Sequence, residues 1–332
     1  MRNNSEVKVL DLKETQMAIK SLKEYFQRDL ANTLNLARIS APIIVQPETG
    51  MNDNLSGVEK AVGFDFKNYD IGVEIVQSLA KWKRYALKEY NFHCYEGLYA
   101  DMNALRPNED LDALHSVYVD QWDWEKIIKA GDRNIEFLKS TVRQIYEVFK
   151  RAEEYINQVY PHALSKKLPD EITFITSEEL LQMYPEMTSE QRENAFVKEK
   201  GAIFVIGIGG ALSSGEPHDA RSADYDDWNL NGDIIFYDEV LDRGIELSSM
   251  GIRVDKAALE RQLEISGRTF LKELDYHKGI LEDTLPLTIG GGIGQSRLCM
   301  FFLEKRHIGE VQASVWDDKT KTACIEAGIK LL

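Results

Sequence analysis

Residues 288–298 read TIGGGIGQSRL and set four glycines within the five positions 290–294. Glycine has no side chain to pack and loses the most backbone freedom on folding, so such a run is costly in any strand or helix. Two readings explain it. A strand here passes unusually close to a neighbouring element, or a strand without side chains forms the floor of a ligand site. In the second reading a flat ring lies on the strand, and Arg297, at the start of a following helix, covers its face by cation–π stacking. The familiar phosphate-binding loops do not fit. GxGxxG requires glycine at 295, where the chain has Gln295, and the second cluster, GIGGAL at 207–212, fails at Leu212. No Gly-Lys pair followed by Ser or Thr occurs, so there is no P-loop.

The pattern of apolar residues places this strand in a mixed fold. Met17, Ile19, Leu22, Phe26 and Leu30 recur at helical spacing and predict an N-terminal helix over about 12–34. Leu138, Val142, Ile145, Phe149, Ala152 and Ile156 predict a long amphipathic helix. Strands are expected at 41–45, where Pro42 suggests an edge or an interface, and at 73–76, 115–122, 171–175, 201–208, 233–237 and 245–254. Helices are expected at 78–90, at 255–282 with a possible break at Gly267, and at 295–305. Helices flank the strands without strictly alternating with them, which predicts an α+β fold around a largely antiparallel sheet. No repeat or linker interrupts the chain. It reads as a single unit, 1–332, with its core sheet beginning at about residue 41.

Two further stretches cluster chemistry. LRPNEDLDALHSVYVDQWDWE (105–125) reads as a strand ending in Arg106, an acidic loop, and a strand whose alternation puts Gln121, Asp123 and Glu125 on one face. An arginine with aligned polar groups suits a site gripping a phosphate and a zwitterion; a solvated hairpin is the alternative. In ELSSMGIRV (246–254), Ser249, Gly251 and Arg253 share a face, and Glu246 falls on the other unless a bulge intervenes. A glutamate beside ATP phosphates ordinarily holds Mg2+.

Composition narrows the function classes. With 55 acids against 40 bases the net charge is -15, which disfavours nucleic acid as a partner. No apolar run reaches membrane-spanning length, and MRNNSEVKVL lacks signal-peptide character, so no membrane partner is expected. Cys94, Cys299 and Cys324 are far apart and the six histidines are scattered, which predicts a reduced, cytoplasmic setting and no zinc site.

Taken together, the Arg-bearing strand-loop-strand, the ELxxxGIR strand and the Gly-rich strand leading into GQSRL resemble the catalytic domain of class II aminoacyl-tRNA synthetases of the aspartyl type. The resemblance is closer to the ammonia-dependent asparagine synthetases, or aspartate–ammonia ligases. It is carried by APIIVQPETGMNDNLSGVEKAV (41–62), SLAKWKRYAL (78–87), the 105–125 stretch, RSADYDDWNLNGDI (221–234), ELSSMGIRVD (246–255) and TIGGGIGQSRL. It runs from about residue 10 to 317.

That resemblance implies a class II synthetase-like domain that uses ATP and Mg2+ to convert L-aspartate and ammonia to L-asparagine through a β-aspartyl-adenylate. It also implies a homodimer, with Pro42 in the interface motif. Arg106 is expected on the α-phosphate and Arg297 over adenine, with Gly292 and Gly294 in the floor. Leu114, Ser116, Val119, Asp233 and Arg253 are expected around the nucleotide, and Glu246 with Asp233 at Mg2+. Ser78, Lys83, Gln121, Asp123, Asp226, Ser249, Gly290 and Arg297 are expected at aspartate, and Asp53 at the ammonia end. Lys83 lies in KWKR, which would otherwise be a solvated basic face, and the alternative role for an acid in 224–227 is to cap a turn. Val119 stands where the synthetases carry a phenylalanine, so no two-sided aromatic sandwich around adenine is expected. The competing readings are an aspartyl- or asparaginyl-tRNA synthetase, which would carry an anticodon module, and an inactive paralogue that binds asparagine or AMP.

Overall fold

A computed structural model describes residues 10–53, 55 and 59–332. Of the DNLSG motif, Asn54, Ser56 and Gly57 lie outside the described residues.

Helix α1 (Leu12–Leu34) begins at Asp11, whose carboxylate accepts the Glu14 amide while Glu14 reaches back in a capping box. It buries Ala18, Ile19, Leu22, Phe26 and Leu30 as one stripe, whereas Met17 is exposed. After it come β1 (Leu36–Arg38), β2 (Ile44–Val45), β3 (Gly63–Asp65), β4 (Gly72–Ile75), α2 (Ala80–Glu89), β5 (Gly97–Leu105) and β6 (Tyr118–Ile127). Next are α3 (Ile135–Val159), β7 (Thr173–Thr176), α4 (Ser177–Met183), α5 (Ser189–Lys200), β8 (Ala202–Ile206), β9 (Asp226–Asp238) and β10 (Arg243–Arg253). The chain closes with α6 (Lys256–Ile265), α7 (Asp275–Leu281), β11 (Thr288–Gly294), α8 (Gln295–Phe302) and α9 (Asp318–Glu326).

Eight strands form one sheet in the order β1-β5-β6-β11-β10-β9-β8-β7. Only the outer pairs, β1 with β5 and β7 with β8, are parallel. The core sheet therefore starts at Leu36 and not at 41. Residues 41–45 supply just the two-residue β2 of a separate sheet, β2-β4-β3, because Pro42 has no N–H to extend a ladder. The expected helix over 255–282 splits into α6 and α7, and the break falls at Gly267, whose φ of +67° no other residue type adopts as cheaply.

The alternation in β6 decides what each sheet face does. Trp122 and Trp124 are fully buried on one face beneath α1 and α3, with Phe26 stacked on Trp122 at 4.9 Å and tilted against Phe149 at 5.0 Å. Each indole buries enough area to contribute roughly 4–6 kcal/mol as an upper limit. Gln121, Asp123 and Glu125 are thereby turned to the opposite face, which α2 covers in part and where the sheet otherwise carries the polar groups of a cavity.

Candidate active site

On that face lies a cavity of about 320 Å3, floored by β6, β11 and β10 and bordered by the 106–117 loop and the 220–226 segment. The glycine strand runs down its middle, paired with β6 on one side and β10 on the other. Gly290, Gly291 and Gly292 each have an identifiable neighbour that excludes a side chain. A Cβ on Gly290 would meet the Glu125 carboxylate and Arg253, and one on Gly292 would meet the Gln121 amide. On the opposite face, a Cβ on Gly291 would stand 2.6 Å from Met250. Gly294 carries the Arg297 side chain, whose Cβ stands 3.3 Å from where a Cβ on Gly294 would be. Close approach and site formation therefore coincide. Gly290 lies beneath the Glu125–Arg253 pair and does not border the cavity, whereas Gly292 and Gly294 do.

Glu246 reaches the same face as Ser249 because a bulge shifts the β9–β10 register between Glu246 and Ser248. Leu247 consequently points into the core alongside Met250. The exposed Glu246 carboxylate is 3.5 Å from Arg297 Nη1, which also donates to the Glu246 carbonyl at 3.1 Å.

A dense charge network fixes one half of the site. Arg253 donates to Glu125 through Nε (3.0 Å) and Nη2 (2.8 Å) and to Asp226 through Nη1. Burial works against the Glu125 charge, yet Arg253 and Lys83 hold its carboxyl below the usual range. Lys83 is fully buried and spends all three donors: on Asp123 Oδ1 (2.5 Å), the Trp124 carbonyl (3.0 Å) and the Gly291 carbonyl (3.0 Å). It does not border the cavity, so it holds Asp123 in place from behind. Asp123 Oδ2 is buried with no hydrogen-bond partner among the described residues.

The KWKR run is buried, not solvated. Lys81 pairs with Asp224 at 2.9 Å, and Arg84 donates to the Pro286 and Val254 carbonyls at 2.8 Å. The acids at 224–227 separate just as cleanly. Asp226 borders the cavity, Asp224 is held by Lys81 and His277, and Asp227 pairs with Arg133.

Arg106 and Asp53, like Asp123, border the cavity and keep polar atoms without partners among the described residues. Among the described residues the Arg106 guanidinium reaches only the Gln77 carbonyl, at 3.5 Å, and its buried Nε has no partner. Asp53 is buried, with Oδ1 taken by the Leu55 amide at 2.9 Å and Oδ2 without a partner among the described residues. Burial pushes the Asp53 carboxyl up to about 6, against the pull of Lys81.

Ser78, Leu114, Ser116 and Val119 all border the cavity; Ser116 shares a 2.9 Å hydrogen bond with Ser314. Asp233 stands behind the wall and meets Arg221 at 2.7 Å. Sequence reasoning missed Arg221, whose buried guanidinium borders the cavity and joins Asp233 to Ser249 Oγ. The only signal for it was its place at the head of the RSADYDDWNLNGDI stretch. Asp120 was also missed. It borders the cavity and anchors Lys23 (3.0 Å) and the Ser296 amide (3.0 Å).

An antiparallel sheet of this order, with a polar cleft over a bare strand, defines a class II aminoacyl-tRNA synthetase-like catalytic domain. Asparaginyl-tRNA synthetase from Entamoeba histolytica, solved with asparaginyl-adenylate, superposes with a TM-score of 0.65 at 13% identity, covering 91% of this chain and 66% of that one. The Pyrococcus horikoshii asparaginyl-tRNA synthetase complexed with asparaginyl-adenylate gives 0.63 at 16% identity, over 90% of this chain and 68% of that one. This chain thus spans about two thirds of the length of those synthetases.

The sequence model of the aspartate-ammonia ligase family matches residues 13–328. The aspartate–ammonia ligase of Clostridium perfringens strain SM101 is 58% identical over 325 residues, 98% of this chain and 96% of that protein. That of Bacillus cereus strain B4264 is 56% identical over 323 residues, 97% and 98% respectively. The chain belongs to the aspartate-ammonia ligase family.

Proposed function

We infer that this chain amidates L-aspartate with ammonia at the expense of ATP, releasing AMP and pyrophosphate through a β-aspartyl-adenylate. Relatives 56–58% identical over almost the whole chain carry the name of that ligase. The observation that carries the reading is the division of the cavity. It has an uncommitted guanidinium, Arg106, and a set of buried carboxylates, Asp53, Asp123 and Asp226. A phosphate that gains charge needs the first, and a substrate with an ammonium group and an incoming ammonium need the second.

The chemistry follows from electrostatics. A carboxylate resists nucleophiles because its charge repels them, and adenylation removes that charge and installs a leaving group. Arg106 meets the α-phosphate as pyrophosphate departs. Arg297 covers the adenine, with Gly292 and Gly294 beneath it, and Leu114, Ser116 and Val119 border the nucleotide. Asp123, held by Lys83, and Asp226, held by Arg253, take the α-ammonium of aspartate, assisted by Gln121, Ser78 and Ser249. Asp53 binds ammonium and takes one proton. The nitrogen lone pair then forms the C–N bond as the C–O bond to AMP breaks, and the second proton leaves for solvent.

Among the described residues no group of three or more His, Cys, Asp or Glu has metal-holding geometry. Mg2+ needs only one or two protein carboxylates when phosphates supply the rest. Glu246, exposed at the cavity, fits that requirement, whereas Asp233 stands behind the wall with its carboxylate on Arg221 and does not border the cavity. When bound with ATP, Mg2+ neutralises phosphate charge.

A homodimer accords with the exposed Ile43 beside Pro42 and the exposed Phe64 and Phe66 on β3 and its turn. A stable monomer in sedimentation at micromolar concentration would contradict it. Among the described residues no helix is long and apolar enough to cross a membrane. The deciding experiment incubates the protein with aspartate, Mg-ATP and ammonium chloride and analyses the amino acids. Asparagine formation is expected. Nucleotide binding without asparagine points to the non-catalytic paralogue, and robust charging of total tRNA with labelled aspartate points to a synthetase.

A further inference from the structure

An amino acid carries an ammonium and a carboxylate on its α-carbon, and the acids Asp123 and Asp226 can meet only the first. The α-carboxylate needs donors of its own, because a carboxylate taken out of water without partners is costly. Few groups can supply them. Among the described residues no lysine borders the cavity. Of the bordering arginines, Arg253 is 2% exposed and has Nε, Nη1 and Nη2 on Glu125 and Asp226. Arg106 serves the α-phosphate in the reaction proposed above, and Arg297 lies at the nucleotide end against Glu246. His115 is hydrogen-bonded to Asp112 within the 106–117 loop. Arg221 remains.

Arg221 precedes β9, and its side chain is 10% exposed. Nη2 donates to Asp233 Oδ1 at 2.7 Å, and Nη1 donates to Ser249 Oγ. Contacts to β9 and β10 thus fix the guanidinium at the cavity border. A guanidinium has five N–H groups, and the buried Nε of this one has no partner among the described residues. Ser249 Oγ, accepting from Arg221, keeps its own proton to donate. Strand register supplies the second half of the site. Ser249 pairs with Gly292 and Gly292 with Asp123, so the three lie on one line across β10, β11 and β6. Asp123, with Oδ2 unpartnered among the described residues, stands at one end of that line, and Ser249 with Arg221 at the other. Two strand spacings, roughly 10 Å, separate the ends, and the glycine between them leaves the gap open.

We propose that Arg221, steadied by Asp233, binds the α-carboxylate of L-aspartate together with the Ser249 hydroxyl. The proposal rests on the reading of the chain as an aspartate-activating enzyme. The ammonium then meets Asp123 across the gap, so that the line from β6 to β10 selects an α-amino acid. Held by Arg221, the α-carboxylate is kept from ATP, and the β-carboxylate is the one adenylated.

The test compares ligands that differ only in the α-carboxylate. Aspartate-dependent exchange of pyrophosphate into ATP is measured first; its absence from the unaltered protein would sink the functional reading itself. Inhibition of that exchange is then measured with L-asparagine, and with β-alaninamide, which is asparagine lacking the α-carboxylate. Arg221→Met should raise the inhibition constant of L-asparagine and the KM for aspartate roughly 10- to 100-fold, the scale for losing a hydrogen bond to a charged group. The KM for ATP and the inhibition by β-alaninamide should stay where they are. Arg221→Lys keeps the charge without the fork and should recover part of the loss. An unmoved asparagine constant, an equal loss for β-alaninamide, or a loss confined to ATP overturns the proposal. Should Arg221→Met fail to fold, Arg221→Lys decides. Asparagine weakened by more than β-alaninamide supports the assignment, and an equal change or none overturns it.

Discussion

Glu125 and Arg253 meet directly over Gly290, the guanidinium donating to both carboxylate oxygens at 2.8–3.1 Å. Neither side chain would have room if residue 290 carried a Cβ. Gly290→Ala is therefore expected to break a buried ion pair and destabilise the fold by about 3–5 kcal/mol. Urea unfolding measures this. A loss below about 1 kcal/mol would show that the strand moves aside at little cost.

Gly292→Val has a different target. Its side chain would displace the Gln121 amide and fill the cavity floor. Affinity for Mg-ATP should disappear in calorimetric titration. Unchanged nucleotide affinity would remove β11 from the nucleotide site.

Arg106 has little structural employment, so Arg106→Ala should leave the melting temperature nearly unchanged. Turnover should fall about 10²–10³-fold, the scale for losing one group that stabilises transition-state charge. Near-normal turnover would exclude Arg106 from the chemistry.

Asp53 links function to stability through pH. Its folded value, about 6, lies above the ordinary aspartate value of 3.8. The folded state thus holds this proton more tightly. The stability Asp53 contributes is full below about pH 4 and is lost as pH rises through 6. Asp53→Asn removes that loss and should stabilise the ligand-free protein at pH 8 by on the order of 2 kcal/mol, while abolishing ammonia-dependent turnover. Melting curves across pH 5–8 would show the gap between the two proteins opening with pH. Parallel curves would refute the linkage.

Much of the fold was legible in local pattern. α1 and α3 follow apolar spacing, the tryptophan alternation in β6 assigns its two faces, and Gly267 marks the break between α6 and α7. β1, at 36–38, was missed because a three-residue edge strand has too few positions to display a period. Helices α4 and α5 went unread because their apolar residues are few. Within the site, motif residues such as Asp53, Arg106 and Arg297 were legible, whereas Arg221 was not, because nothing in its neighbours reveals a guanidinium reaching across to β9 and β10.

By itself the sequence determined which residue types are available and at what spacing: a strand free of side chains, polar groups alternating with tryptophans, and the long motifs of its family. Only the tertiary structure decided which charges meet. Lys83 turned out to be spent inside the protein and Arg106 left open, and a single bulge brought Glu246 round to the cavity. The physical reason is that desolvation and Coulomb energy depend on distances across strands that no linear spacing specifies.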